Sequence, residues 1–561
     1  MFLRLAILIC LFIPLMLQLT FGQKTRFLID TNQLTIDAND QAFKKIRPGD
    51  TIFFTGGVRD YILIKNFQGK PGNPIVMINS GEDVIIDTNQ SWGISIQNCR
   101  YFKFTGTGDS DQTYGFKIKR AVNGGGITIG NLSSDIEIDH ISVENCLYAG
   151  IYASTDPDCS LTMIRGIFTQ INTVLHDNYI ANVGNEGLKV GSSNYFGQKI
   201  NCNGTDVILL PGVLEGVKIY NNIIKYTGWE GISLNSASKN CQIFNNTIEF
   251  DSQKETESHM AGILIGSGTK CDCSNNFIRD GKGNGIESSG LGGYRIFNNI
   301  IVDAGVSFAP LDQKRMKHGI FVSDGSCQSD SAFYIQHNDI INPKSDGIRF
   351  SSIKSNKNVI ASNMIINPGN YDYYEKGNTK FKGEDSYIMI QNPESQITLK
   401  NNYFARNALK AGIFSQNMQS ANDFKLVEGS PLIDKADRDK KIAIDFNGFP
   451  RPFGVKSDIG AFEYEAISTE EVEINIPFSQ IKLLQNPVKD YLTFSMPNES
   501  NTSILLNIYS LTGKMIDQFK QPDVLSTNQV IQVNISKIAS GMYLYTIRSG
   551  EYASSGKFIK W

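Results

Sequence analysis

One asparagine recurs along this chain with the same neighbours each time, and that recurrence leaves few folds open. Segments such as "LHDNYIANVGNEGLKV", "IYNNIIKYTGWEGISL", "CSNNFIRDGKGNGIES" and "IQHNDIINPKSDGIRF" align on Asn178, Asn222, Asn246, Asn276, Asn299, Asn338, Asn363 and Asn402, at spacings of 23 to 44 residues. Two residues past each anchor stands an apolar side chain: Ile180, Ile224, Ile248, Ile278, Ile301, Ile340, Ile365 and Phe404. Nine past the anchor comes Gly187, Gly231, Gly285 or Gly347, while Gly262, Gly319 and Gly412 fit after small shifts or longer insertions. Apolar residues alternate over only three to five positions around these marks, which means short strands with one face buried. A repeat that cannot bury its own face must stack on its neighbours. The predicted fold is therefore all-β, a right-handed parallel β-helix with inserted loops. At about 4.8 Å per turn, ten to twelve turns give a rod of roughly 50 Å. The asparagine is expected to occupy a corner in the left-handed region and to bond its equivalents above and below. The glycine is expected to supply a second bend.

Composition agrees with strands and turns, with 51 glycines and no long Ala/Leu/Glu runs. The formal net charge of -3 argues against nucleic acid as a partner. The first 22 residues hold Arg4, an apolar run from Leu5 to Leu19 and a small-residue exit, "TFG". This is the pattern of a signal peptide, and it predicts a mature chain outside the cytoplasm with no transmembrane segment. Disulfides are permitted there among the eight cysteines that remain, although packed thiols are expected to predominate. Cys241 and Cys271 both sit five before an anchor and are expected to stack. The five histidines show no metal spacing, so no metal ligand is assigned among them.

The two ends differ from the middle. "NDQAFKKI" has helical spacing and is expected to form an N-terminal helical cap over the open edge. The stretches "KKIRPGDTIFFTGGVRDYILI" and "GKPGNPIVMINSGEDVIID" resemble the opening coils of the pectate-lyase-like β-helix superfamily, and are similar to the start of polysaccharide lyase family 6. That resemblance implies a lysine base, an arginine and often calcium, so calcium is the cofactor left open. "EGSPLIDKADRDKKIAIDFNGFPRPFGVKSDIGAFEYE" resembles the closing segment of bacterial surface β-helix proteins. Asp445, Gly448, Arg451 and Asp458 are expected to tie a structural turn within a C-terminal cap. After an acidic stretch the pattern becomes antiparallel. Asn486-Pro487, Leu511-Thr512-Gly513-Lys514, Ser540-Gly541-Met542-Tyr543 and the final Lys557-Phe558-Ile559-Lys560 resemble the C-terminal sorting domain of the Bacteroidetes type IX secretion system. The resemblance implies type IX machinery as a partner and a secreted or outer-surface location. The expected division is a signal peptide over 1–22, the β-helix over 23–465, a linker over 466–477 and a small β-sandwich sorting domain over 478–561.

Chemistry, if present, belongs to outward columns on the rod. The residue two after each glycine gives Tyr152, Lys189, Ser233, Leu264, Glu287, Phe321 and Arg349. The residue before each glycine gives Glu186, Glu230, Asn284, His318 and Asp346. Rings stack on sugar faces and charges hold hydroxyls or carboxylates, so these columns suit an extracellular polysaccharide. Hydrolysis needs two carboxylates about 5 to 9 Å apart, and Glu186 and Glu230 occupy equivalent places on consecutive turns. They are the candidate catalytic pair, or a calcium pair completed by Asp206 or Glu215. Trp229 is a candidate sugar platform. Lys189, Glu287, His318 and Arg349 are candidate substrate contacts, with His318 preferred to His259 as an acid or base. A lyase would need Lys189 and Arg349 together, yet about five turns of about 4.8 Å separate them. The reading is a polysaccharide-active hydrolase or lyase; the alternative is a non-catalytic glycan-binding or adhesive surface rod.

Overall fold

A computed structural model describes residues 27–308, 316–369, 374–376, 379–381, 386–413, 415, 417–437, 439, 441–465, 481–495, 504–510, 515–521, 530–549 and 552–560. The expected signal peptide and linker, and Leu511–Lys514, lie outside the described residues.

Three long parallel sheets wind through the chain. Among the described residues one has 13 strands, from Phe27–Ile29 to Ile397–Lys400; the second has 12, from Gly57–Arg59 to Tyr403–Ala405; the third has 12, from Thr35–Asp37 to Ile388–Ile390. Every strand pairs in register with its equivalent one coil away, which makes a parallel β-helix. The inward side chains are the predicted ones on every coil but the last, where Phe404 is exposed. Ile180, Ile224, Ile248, Ile278, Ile301, Ile340 and Ile365 are all buried in one continuous core. The predicted N-terminal helix is reduced to one 3-10 turn, Gln41–Phe43. It lies between Thr35–Asp37 and Thr51–Phe54, two strands already paired within sheets, and it contributes only Phe43 to the core.

The corner is a continuous asparagine ladder. The backbone N–H and side-chain Nδ2 of Asn222 both donate to Oδ1 of Asn246, at 3.1 and 2.9 Å. The same pair of bonds joins Asn178 to Asn222 and carries on through Asn276, Asn299, Asn338 and Asn363 to Asn402. The left-handed residue is the one before each rung: Asp177, Asn221, Asn245, Asn275, Asn298, His337, Ser362 and Asn401 all have φ between 49° and 59°. The backbone must turn first so that the ladder amide can face inward.

Of the repeat glycines only Gly412, at φ 63°, supplies the expected left-handed bend; the others have a different duty. Gly150, Gly187, Gly231, Gly262, Gly285, Gly319 and Gly347 are absent from the positive-φ positions. A Cβ on Gly231 would stand 2.5 Å from Ile248 Cγ2 and 2.7 Å from the Gly262 carbonyl oxygen. Each of the other six meets the isoleucine of the next coil at 2.3–2.5 Å. Glycine is required because the strand passes too close to the next coil's core isoleucine for any side chain.

The segment from about 417 to 465 turns back along the rod instead of capping its end. Asn275 Nδ2 donates to the carbonyl oxygens of Asp445 and Phe446, Asn298 Nδ2 to that of Ile444, and the Ala461 N–H to Asp339 Oδ1. Phe424, Leu432, Ile459 and Phe462 cover the outer face of the second sheet, packing with Ile300, Val302, Met364 and Ile366. The strands beneath it, "IIV" and "MII", are therefore buried on both faces and read as unbroken apolar runs. Arg451 fastens this strap: its guanidinium donates to Glu463 Oε1 at 2.6 Å and to the carbonyl oxygens of Asp458 and Gly460. Asp445 and Asp458 spend their oxygens on backbone N–H groups of Asn447, Phe449, Glu463, Asp434 and Tyr464, so both are turn-forming residues.

Cys159 and Cys202 form a disulfide at the tip of the hairpin Gln198–Cys202/Thr205–Leu209, where Cys202 pairs with Thr205 beside the turn. The other six cysteines among the described residues are buried thiols, with Cys241 opposite Cys271 in register as expected. Beyond 480 come an antiparallel three-stranded sheet and an antiparallel four-stranded sheet that share one core, with Phe494 against Tyr545. No helix among the described residues is long and apolar enough to cross a membrane.

Candidate functional site

The third sheet carries the predicted column. In register along it stand Tyr152, Lys189, Ser233, Leu264, Glu287, Phe321 and Arg349. Beside it run the pre-glycine residues. The Gly187 N–H donates to the Glu230 carbonyl oxygen, which places Glu186 and Glu230 on adjacent coils. A pre-glycine residue and the one three later project to the same side. Lys189 Nζ lies 3.0 Å from Glu186 Oε1, Asn284 Nδ2 donates to Glu287 Oε2 at 2.9 Å, and Arg349 Nη1 lies 3.1 Å from Asp346 Oδ2.

The candidates fall into two groups. In the first, Glu186 and Glu230 come together with Lys189, Trp229 and His259. Glu230 is 1% exposed and its Oε2 is 3.4 Å from His259 Nδ1. One ligating atom each from Glu186, Glu230 and His259 lies within 4.8 Å of the others. Glu186 Oε1, Glu230 Oε2 and His259 Nδ1 are all buried without a well-directed hydrogen bond, although Lys189 and His259 stand close by. Buried polar atoms left this way are costly, and their convergence marks a place for a polar guest. The Glu230 carboxylate raises the pKa of His259, outweighing burial. Trp229 stacks on the His259 ring, with centroids 4.0 Å apart, and its Nε1 donates to Thr256 Oγ1. One face of the proposed sugar platform is thus taken by the imidazole it positions.

In the second group His318, Arg349 and Asp346 meet, five coils from Lys189 along the column. The Asp346 N–H donates to His318 Nδ1, and burial lowers the pKa of His318. Lys189 and Arg349 therefore serve separate carboxylates and do not share a site. Glu287 lies between the groups, its pKa raised by burial. Under the first group Asp251 is fully buried, which pushes its pKa up to about 7. Asp206 and Glu215, considered as partners for a calcium pair, are drawn elsewhere: Asp206 pairs with Lys199 on the exposed hairpin and Glu215 with Lys239.

Sequence reasoning ranked His259 below His318, and the structure puts His259 against the carboxylate pair. Its signal was weak: a histidine ending the insertion "DSQKETES" one coil after Glu230. A second cluster, Glu137, Asp139 and His176, also has ligating atoms within 4.8 Å. There Lys103 occupies the centre, 2.5 Å from Glu137 and 2.9 Å from Asp139. Both His176 nitrogens already face carboxylates, Asp177 and Glu137, at 2.6 and 3.2 Å. Asp139 Oδ2 is likewise buried without a well-directed hydrogen bond, but here Lys103 and both His176 nitrogens already answer the carboxylates, which makes it a structural cluster.

A family model for the secretion system C-terminal sorting domain matches residues 485–561. The chain's C-terminus is a type IX sorting domain. It directs the protein to the cell surface or the extracellular space. No curated protein sequence matches the chain. Among solved structures, a GH136 lacto-N-biosidase from Eubacterium ramulus is 13% identical, covering 68% of this chain and 68% of its own, with a TM-score of 0.44. The enzymatically active domain of bacteriophage CBA120 tailspike protein 2 is 11% identical, covering 91% of this chain and 72% of its own, at 0.39. The Agl-KA catalytic domain is 14% identical, covering 64% and 60%, at 0.34. At these TM-scores the likenesses carry no residue role and no substrate.

Proposed function

We propose that this exported protein hydrolyses glycosidic bonds of an extracellular polysaccharide along the third sheet. The observation that carries the reading is the convergence of buried, poorly bonded atoms from Glu186, Glu230 and His259 on an otherwise regular face. A regular solenoid face has no need of two buried carboxylates on adjacent coils, and holding them so close costs stability. Glu230, with Glu186 beside it, holds and activates the attacking water. Glu287 is the proton donor, since burial favours its neutral form. It sits two coils from Glu230, about 10 Å along the axis at about 4.8 Å per coil, near the wide carboxylate spacing of inverting hydrolysis. Tyr152, Leu264 and Phe321 offer apolar surface to sugar faces on either side.

The test is incubation with a panel of neutral and acidic polysaccharides, scoring new reducing ends, unsaturated products and the anomer first released. Inverted product is expected, with Glu230→Gln and Glu287→Gln each slowing release at least a hundredfold. Unchanged rates in both variants would overturn the site. A retained anomer would remove Glu287 as the acid. Glycan binding without turnover would establish the non-catalytic rod.

A further inference from the structure

The cluster at Glu186, Glu230 and His259 has the features of a cation site as well as of a place for water. We propose that these three residues bind a divalent first-row transition-metal ion, with zinc as the representative probe. Two ligands about 2.1 Å from a four-coordinate ion stand about 3.4 Å apart. That is the separation already present between Glu230 Oε2 and His259 Nδ1, at 3.4 Å. The Glu186 ligating atom lies within 4.8 Å of both, so a small inward rotation completes a three-residue set.

Independent of the acidic pairing, Glu230 is 1% exposed and Glu186 3% exposed, and each buries an oxygen without a well-formed hydrogen bond. A site for water alone offers acceptors and donors in balance. Here two carboxylates and an imidazole nitrogen offer lone pairs, which a cation satisfies. Imidazole nitrogen favours zinc, nickel or iron over calcium or magnesium. The ring's position is fixed by packing and by the turn that carries it: Trp229 stacks on it, the Trp229 indole is tied to Thr256, and the His259 backbone N–H donates to the Thr256 carbonyl oxygen. Three protein ligands leave a coordination position for water or a sugar hydroxyl.

Lys189 is the competitor. Its ammonium, 3.0 Å from Glu186, supplies the positive charge that an ion replaces. This gives the site a signature that a merely structural carboxylate cluster lacks: removing Lys189 strengthens ion binding. The proposal does not depend on hydrolysis, because binding is measured directly and stands or falls separately from turnover.

The experiment is calorimetric titration of the chelator-treated secreted protein with zinc chloride. One zinc per chain is expected. His259→Ala and Glu230→Gln are each expected to weaken binding at least tenfold, and Lys189→Met to tighten it. His176→Gln, in the balanced cluster, leaves it unchanged. Glu186→Asp, which keeps the charge but withdraws it by one methylene, gives a second probe that preserves the fold, and weaker binding is expected. Unfolding midpoints confirm that each variant is folded. Absence of saturable binding, binding insensitive to His259→Ala, or calcium binding as tightly as zinc regardless of His259 would each overturn the proposal.

Discussion

The asparagine ladder can be broken at one atom. In Asn246→Asp an acceptor oxygen replaces Nδ2 without changing shape. Nδ2 donates to the carbonyl oxygens of Ile219 and Phe244 and to Asn276 Oδ1, at 3.0, 3.1 and 3.0 Å, in a position 1% exposed. An ionised carboxylate there faces three acceptors. Oδ1 still receives the Asn222 N–H and Nδ2, so the loss is confined to one side of the residue. Asn276 Oδ1 keeps the Asn246 backbone N–H, so the loss is three buried hydrogen bonds, on the order of 1.5–4.5 kcal/mol at about 0.5–1.5 each. Protonation restores one donor, so the folded-state pKa of the new carboxyl lies above its unfolded value of about 3.9. The folded state then binds the extra proton, and stability falls as pH rises until the folded pKa is passed. Between pH 5 and pH 8 the deficit relative to the parent should grow by up to about 4 kcal/mol, at about 1.4 per pH unit. Asn246→Leu, which cannot titrate, should show a deficit that does not depend on pH. Urea unfolding followed by circular dichroism at both pH values measures this. A deficit that is the same at pH 5 and pH 8 for Asn246→Asp would refute the ladder as a set of buried, directional bonds.

Other positions test other parts of the fold. Gly231→Ala puts a methyl 2.5 Å from Ile248 Cγ2 and 2.7 Å from the Gly262 carbonyl, and should lower stability by about 1–3 kcal/mol or more in the same urea assay. His176 has its pKa raised to about 9 by hydrogen bonds and charge from Asp177, Glu137 and Asp139, which outweigh burial. Its contribution is therefore full below its unfolded pKa of about 6.5 and lost as pH rises through about 9, so the parent's advantage over His176→Gln, about 3 kcal/mol, should fade across that window. Arg451→Met leaves Glu463 buried without its partner at a cost of about 3–5 kcal/mol, and limited proteolysis should then cut within the strap before it cuts the rod.

Much of the rod was legible because its constraints are one-dimensional. Once Asn222, Ile224 and Gly231 are aligned with their equivalents, the register of all three sheets follows, and the column from Tyr152 to Arg349 falls out by counting. What the sequence could not separate is which of two reasons places a residue at a corner. A left-handed residue and a ladder amide are adjacent, both are often asparagine, and only the geometry shows that Asn221 turns while Asn222 bonds. Glycine is ambiguous in the same way: a residue chosen for a free φ and one chosen for having no Cβ look identical, and Gly231 is the second kind. The strap was misplaced because nothing in "SDIGAFE" says which surface it covers. The clue lay elsewhere, in the strand triplets Ile300–Val302 and Met364–Ile366, too apolar for a sheet with one wet face.

The candidate site was half legible for a related reason. Periodicity predicts positions on the rod but not the reach of an insertion that leaves it and returns. Glu186 and Glu230 are rod residues, so their adjacency could be counted. His259 belongs to an excursion whose return path depends on Trp229 stacking and on the turn at Thr256, contacts with no period. A solenoid that evolves a function on a uniform face must break uniformity somewhere, and side chains added from loops are the cheapest way to do so. The informative residues on such a protein are therefore polar rod residues buried by a loop. Glu230 under His259 meets that condition. Asp346 in the second group has both oxygens bonded, to Arg349 Nη1 and the Ser386 N–H, whereas Glu186 Oε1 and Glu230 Oε2 are buried without well-directed hydrogen bonds, which is why the two groups on one face carry unequal weight.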